Sequence, residues 1–155
     1  MLTHARALLR GGGTAYLEAD FRQPATILAQ AAATLDFEKP VAVMLIALLH
    51  LVRDEESPYE HVAALVEALA PGSYLVISHG TADFVPEEVR AKVAAADART
   101  ANPSQVRSQA EIARFFEGFE VLEPGIVPVS EWRNPGSSVP AIEASCYGAV
   151  GRRIP

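Results

Sequence analysis

Residues 41–49, VAVMLIALL, are apolar without interruption and directly follow Pro40. A half-buried strand alternates apolar with polar residues, and an amphipathic helix repeats every three or four; this run does neither. It reads as a central parallel strand covered on both faces. A buried helix would carry the same run, but Pro40 and the valine and isoleucine content favour the strand. His50 ends it, and a charged loop, RDEES, follows.

The remaining segments alternate around that strand. Leu2, Ala5, Leu8 and Leu9 share a helical face, and Gly11-Gly12-Gly13 stops it. This glycine run follows a helix and precedes a strand, the reverse of a phosphate-cradling loop. Residues 14–19, TAYLEA, read as a short strand ending at Asp20. Pro24 opens a helix at a position where proline is tolerated, with Ile27, Leu28, Ala31 and Leu35 on its buried face. Ser57-Pro58-Tyr59-Glu60 reads as a capping box at the start of another helix, whose buried stripe is Val62, Leu65, Val66 and Leu69. Pro71-Gly72 closes it. A strand is predicted over residues 73–78, with His79 and Gly80 at its tip. A helix with Val89 and Val93 on one side follows Asp83 and Pro86. Ser108 to Glu111 form a second capping box, and Ile112, Phe115 and Phe116 make that helix's buried face. A strand over residues 119–122, a loop around Trp132 and a last, antiparallel strand near 141–150 complete the chain. The order implies βαβ units in one α/β domain over residues 1–155, with a mostly parallel sheet and helices on both faces.

The formal net charge of -6 argues against a nucleic-acid partner. The longest apolar run is about half of what a bilayer-spanning helix needs, and the basic start lacks the apolar stretch of a signal peptide. No membrane association is expected. A lone cysteine, Cys146, forms no intramolecular disulfide; it reads as a strand residue in a cytoplasmic protein.

Open α/β sheets bind ligands beyond the C-terminal ends of their strands. Asp20, His50 and His79 stand at such ends here. Each has a plainer reading: Asp20 capping the turn into the Pro24 helix, His50 donating to a loop carbonyl, His79 in a structural turn. His50 and His79 lie close together if their strands are neighbours. No serine-histidine-acid spacing and no metal-specific spacing accompanies them. Tyr59 and Trp132 are candidates for lining a pocket, the latter as a lid.

Several segments together resemble an actinobacterial family of S-adenosylmethionine-dependent methyltransferases with a class I, Rossmann-like fold. They are HARALL, YLEADFR, ALLHLVRD, Pro58-Tyr59, PGSYLVISHGTADF, SQAEIARFFEGFEVLEPGIVPVSEWR and YGAVGRR. The resemblance covers essentially the whole chain and implies S-adenosylmethionine as cofactor. It implies that Asp20 faces the adenine amine, that Phe21 lies beside the adenine ring, and that His50 and Leu51 border the methionyl part and the acceptor. His79 falls near the acceptor side, with Tyr59 and Trp132 as the other substrate-pocket candidates, and the acceptor is expected to be a small molecule.

In such a family a first strand with a glycine-rich turn and a second strand ending in a ribose-binding acid precede HARALL. This chain starts inside the helix after them, so the fold is expected without its first two strands. Weak cofactor binding by the chain alone and self-association through exposed sheet edges follow as expectations. The alternative to an enzyme is a non-catalytic partner module on the same fold. A nicotinamide-binding module ranks last, because no residues match it.

Overall fold

The computed structural model describes residues 14–101 and 103–155; the helix expected over residues 2–9 and its glycine stop lie outside them. Among the described residues five strands form one mixed sheet: β1 (Ala42–Ile46), β2 (Tyr74–Gly80), β3 (Phe119–Val121), β4 (Val127–Pro128) and β5 (Cys146–Arg153). Their order is β1-β2-β5-β3, with β4 also beside β5. β1 and β2 run parallel, Ala42 opposite Tyr74 through Ile46 opposite Ser78. β5 is antiparallel to β2, β3 and β4. The sheet is thus mixed rather than mostly parallel, because the returning β5 inserts between β2 and β3 and sets three of the four pairings. Cys146 is a strand residue, as expected.

Prolines start the first two described helices. α1 (Pro24–Ala31) and α2 (Pro58–Glu67) each place one in the first turn, where the missing N–H is no loss. α2 buries Val62, Leu65 and Val66. α3 (Glu87–Asp97) buries no side chain, and its Val89 and Val93 stand exposed. α4 (Gln109–Ala113) begins with the expected capping box: Ser108 Oγ accepts from Glu111 N and Ser108 N donates to Glu111 Oε2. It runs into a 3-10 turn, Arg114–Phe116. α5 (Ala141–Ala144) occupies the start of the region expected to be the last strand.

Ser57 does not cap α2. It closes a 3-10 turn, Asp54–Glu56, by donating its N–H to Asp54 O, and this leaves it at φ +51°. A capping residue needs extended backbone. The reciprocal bond sits one turn earlier, where Arg53 N donates to Glu56 Oε2 at 3.0 Å.

One face of the sheet carries the core. Leu45 of β1, Leu75, Ile77 and His79 of β2, and Tyr147 and Ala149 of β5 are buried there. Val62 and Val66 of α2 and Leu69 just after it meet them, with Ile112, Phe115 and Phe116 from α4 and its turn. Gly151 allows the closest approach: a Cβ there would lie 2.7 Å from Phe116 Cδ1.

The opposite face departs from expectation. Met44 and Ile46 are 63% and 51% exposed, and Tyr74 beside them is exposed as well. Among the described residues β1 pairs with β2 alone and stands at the edge of their sheet. Its apolar run meets an alternating environment, buried at Leu45 and open at its neighbours. Residues 14–19 form no strand. Extended backbone becomes a strand only against a partner strand, and none of the described strands β1 to β5 is laddered to this segment.

Candidate functional site

β1 and β2 run parallel, so their C-terminal ends share one edge of the sheet. β1 stops at Ile46 because Ala47 turns into the left-handed region, φ +52°. Its N–H still reaches Ser78 Oγ at 2.9 Å, which anchors the departing chain to β2. A 3-10 turn, Leu49–Leu51, follows, pinned by the buried Leu49. His50 projects from it and lies edge-on to His79, ring centres 5.9 Å apart. The two histidines come together as parallel pairing implies.

Their environments differ from an open catalytic pair. His79 is inside β2 rather than at its tip, and it is fully buried. Its Nε2 lies 2.8 Å from Arg107 Nη1, and its Nδ1 lies 2.8 Å from Gly80 O. A guanidinium can only donate, so Nε2 accepts, and Nδ1 carries the proton and donates to Gly80. Burial is the main cause that pushes the His79 pKa down to about 4; the Gly80 bond opposes it and the Arg107 charge adds to it. With both nitrogens engaged, His79 presents no free atom to a ligand in this arrangement. His50 is also pushed down, by burial and then by Arg107. Its Nδ1 is buried without a partner.

Arg107 was not singled out by the sequence. It is 1% exposed. Nη1 donates to Leu49 O and Nη2 to Val52 O, each at 2.9 Å. Nη2 also pairs with Asp54 Oδ1 at 2.7 Å. Phe115 and Tyr59 flank the guanidinium, 5.6 and 5.7 Å away. A lone arginine between two helices carries no sequence signal for this, because two of its partners are backbone carbonyls.

Asp20 and Phe21 lie just before α1. The Asp20 carboxylate accepts from Arg22 Nε, Nη2 and N at 2.7–3.1 Å. These bonds hold its pKa down to about 2. Arg22 Nη1 also reaches Glu56 Oε1 at 2.8 Å. That bridge ties the Asp20 segment to the loop that follows β1. Phe21 sits edge-on to His61 of α2 at 5.9 Å. Leu51 is exposed.

Tyr59 and Trp132 lie elsewhere. Tyr59 stacks on Phe115 at 4.3 Å with the Arg114 guanidinium 3.9 Å from its ring centre. It lines a groove of ≈ 680 Å³ that runs along α2 to Phe119, Arg153 and Pro155. Trp132 is half-buried, and Arg133 packs 4.8 Å from its ring centre. Beyond the end of β2 a second cavity of ≈ 950 Å³ is lined by Thr81, Val85, Arg90, Val93, Gln105 and Val106, among others. Among the described residues, no group of three His, Cys, Asp or Glu side chains is placed to hold a metal ion. No described helix is long and apolar enough to cross a membrane.

The family model described as S-adenosyl methyltransferase matches residues 1–154. A DUF574 family protein from Streptomyces avermitilis MA-4680 is 41% identical, with a TM-score of 0.88; the match covers 98% of this chain and 61% of that one. A candidate methyltransferase from Thermobifida fusca YX is 32% identical, with a TM-score of 0.86, over 99% of this chain and 59% of that one. The chain therefore spans 61% and 59% of the length of these two relatives. The N-methyltransferase NodS from Bradyrhizobium japonicum WM9, solved with S-adenosyl-L-homocysteine, is 13% identical with a TM-score of 0.55 over 96% of this chain and 59% of its own, a likeness of fold alone. No protein of curated function matches the chain by sequence.

Proposed function

We propose, from the premise that the chain belongs to the S-adenosyl methyltransferase family, that it is the part of a methyltransferase that binds the adenine side of S-adenosylmethionine and borders a small-molecule acceptor. The observation that carries this is the Arg22 bridge. By pairing with Asp20 and Glu56 together, it ties the segment of Asp20 and Phe21 to the loop that follows His50 and Leu51. The residues suit the cofactor's chemistry: a carboxylate accepts from an exocyclic amine, and an aromatic ring packs against a purine. Asp20 is ionised at neutral pH, since Arg22 holds its pKa down to about 2. When bound, the cofactor supplies a sulfonium-activated methyl group. The net charge of -6 favours a small-molecule acceptor over nucleic acid. Tyr59, His79 and Trp132 remain the substrate-pocket candidates, His79 acting through Arg107 rather than by direct contact.

Asp20→Ala tests this. In the longest natural form of the protein it is expected to weaken binding of S-adenosyl-L-homocysteine by roughly three- to tenfold, the effect of losing one solvent-accessible hydrogen bond. Calorimetric titration measures it. An unchanged Kd removes Asp20 from the site.

A second reading, a non-catalytic partner module, is favoured by one observation: the exposed Met44 and Ile46 on β1, which pairs on one side only among the described residues. An uncharged apolar edge is a template for another strand. Residues 1–155 are expected to self-associate in sedimentation experiments, and Ile46→Lys is expected to shift them toward monomer. A wild-type chain that stays monomeric at high micromolar concentration rejects that association.

A further inference from the structure

The turn after β1 is held mainly by a distant segment. Within it, Leu51 N donates to Leu48 O and Val52 N to Leu49 O, which is little more than one helical turn. The other bonds come from residues 105–107. Gln105 N donates to His50 O at 2.7 Å, and Gln105 Oε1 accepts from Asp54 N at 2.8 Å. Arg107 donates to the carbonyls of Leu49 and Val52 and to the Asp54 carboxylate. Its own N–H donates to Gly80 O at 3.2 Å, fixing the clamp to the end of β2.

We propose that Gln105 and Arg107 are positioning residues, which together clamp the turn carrying His50 and Leu51 into the shape that receives the cofactor. The proposal rests on the reading that His50 and Leu51 border S-adenosylmethionine. Its physical basis is the choice of acceptors. A buried guanidinium needs several acceptors to offset its desolvation. Arg107 takes its acceptors from this turn and from His79, and Gln105 uses its backbone on His50 and its side chain on Asp54. A group serving only the core would have no reason to converge on the carbonyls of Leu49, His50 and Val52 in one short turn. Arginine suits the task because its planar fork serves several acceptors at fixed angles, which an ammonium does not.

The test uses Arg107→Lys and Gln105→Ala with two readouts. Amide hydrogen exchange is followed at residues 48–54, with the amides of Leu65 in α2 and Ile77 in β2 as internal references. The affinity for S-adenosyl-L-homocysteine is measured by calorimetry on the longest natural form. Each variant is expected to raise exchange in the turn by about tenfold or more while the references hold, and to raise the Kd by about tenfold. Uniform acceleration across the references, or no change at the turn, overturns the clamp. A loosened turn with an unchanged Kd overturns its role toward the cofactor. If Arg107→Lys does not fold, Gln105→Ala, which removes one side-chain bond at the surface, decides alone. A wild-type protein that binds no S-adenosyl-L-homocysteine rejects the cofactor reading itself and with it the clamp's role toward the cofactor, and the exchange measurement then still decides whether these residues hold the turn.

Discussion

Folding stability is expected to fall by about 3 kcal/mol between pH 6.5 and pH 4 through His79 alone. The unfolded chain takes a proton on this residue near 6.5, whereas the folded chain resists until about 4. The unfolded state therefore binds more protons throughout that window. The contribution is complete above 6.5 and is lost as the pH falls toward 4. The cause is visible in the site. A protonated His79 would have to surrender the Nε2 lone pair that accepts from Arg107, and it would then bring a second cation against a buried guanidinium. His50, also pushed down by burial, acts with the same sign. Urea unfolding at intervals across the window measures the slope, and His79→Gln, which offers an oxygen in place of Nε2, should flatten most of it. A wild-type stability that stays level down to pH 4.5 would show that His79 accepts its proton in the fold.

Much of the architecture was legible because local chemistry decides it. Pro24 and Pro58 sit where a helix starts, and Ser108 with Glu111 forms the box that the sequence spells. The stripe Val62, Leu65, Val66 faces the core because its spacing matches the helical repeat. What failed depends on partners far along the chain. An unbroken apolar run records the chemistry of residues 41–49 but not which segments lie beside them. Among the described residues only β2 pairs with β1, and Met44 and Ile46 stand open. The box written at Ser57 failed for a nearer reason: the preceding 3-10 turn already commits Ser57 to the left-handed region.

The site divides the same way. Parallel pairing of β1 with β2 was inferable, and it brings His50 to His79. Arg107 was not inferable, since Asp54 and His79 lie 53 and 28 residues away and its other partners are carbonyls without a side-chain signature. It also engages His79 Nε2, so one guanidinium holds both His79 and the turn beside it. The strand expected to end at Asp20 is not there, and Arg22 instead ties Asp20 to Glu56 in the loop after β1.

Phe115→Ala is expected to cost about 3–5 kcal/mol, the range for emptying a buried aromatic site. Phe115 is 4% exposed and joins the two halves of the core. Tyr59 of α2 stacks on it at 4.3 Å, and His79 of β2 lies nearly parallel at 6.3 Å. The Arg107 guanidinium is 5.6 Å from its centre. Removal therefore does more than open a void: it admits water beside a buried cation and takes away one wall of the ring stack that keeps Arg107 in line with Leu49 and Val52. A domain of this size holds only about 5–15 kcal/mol in total, so the variant loses a large share of its stability and its clamp weakens with it. Phe119, only half-buried at the start of β3, is the internal comparison, and its alanine variant should lose distinctly less. Chemical denaturation of the two variants beside the wild type reads both values. If Phe115→Ala costs under about 1 kcal/mol, the stack is not what joins α2 to β2, and the packing of Val62 and Ile112 against Ile77 must carry that junction instead.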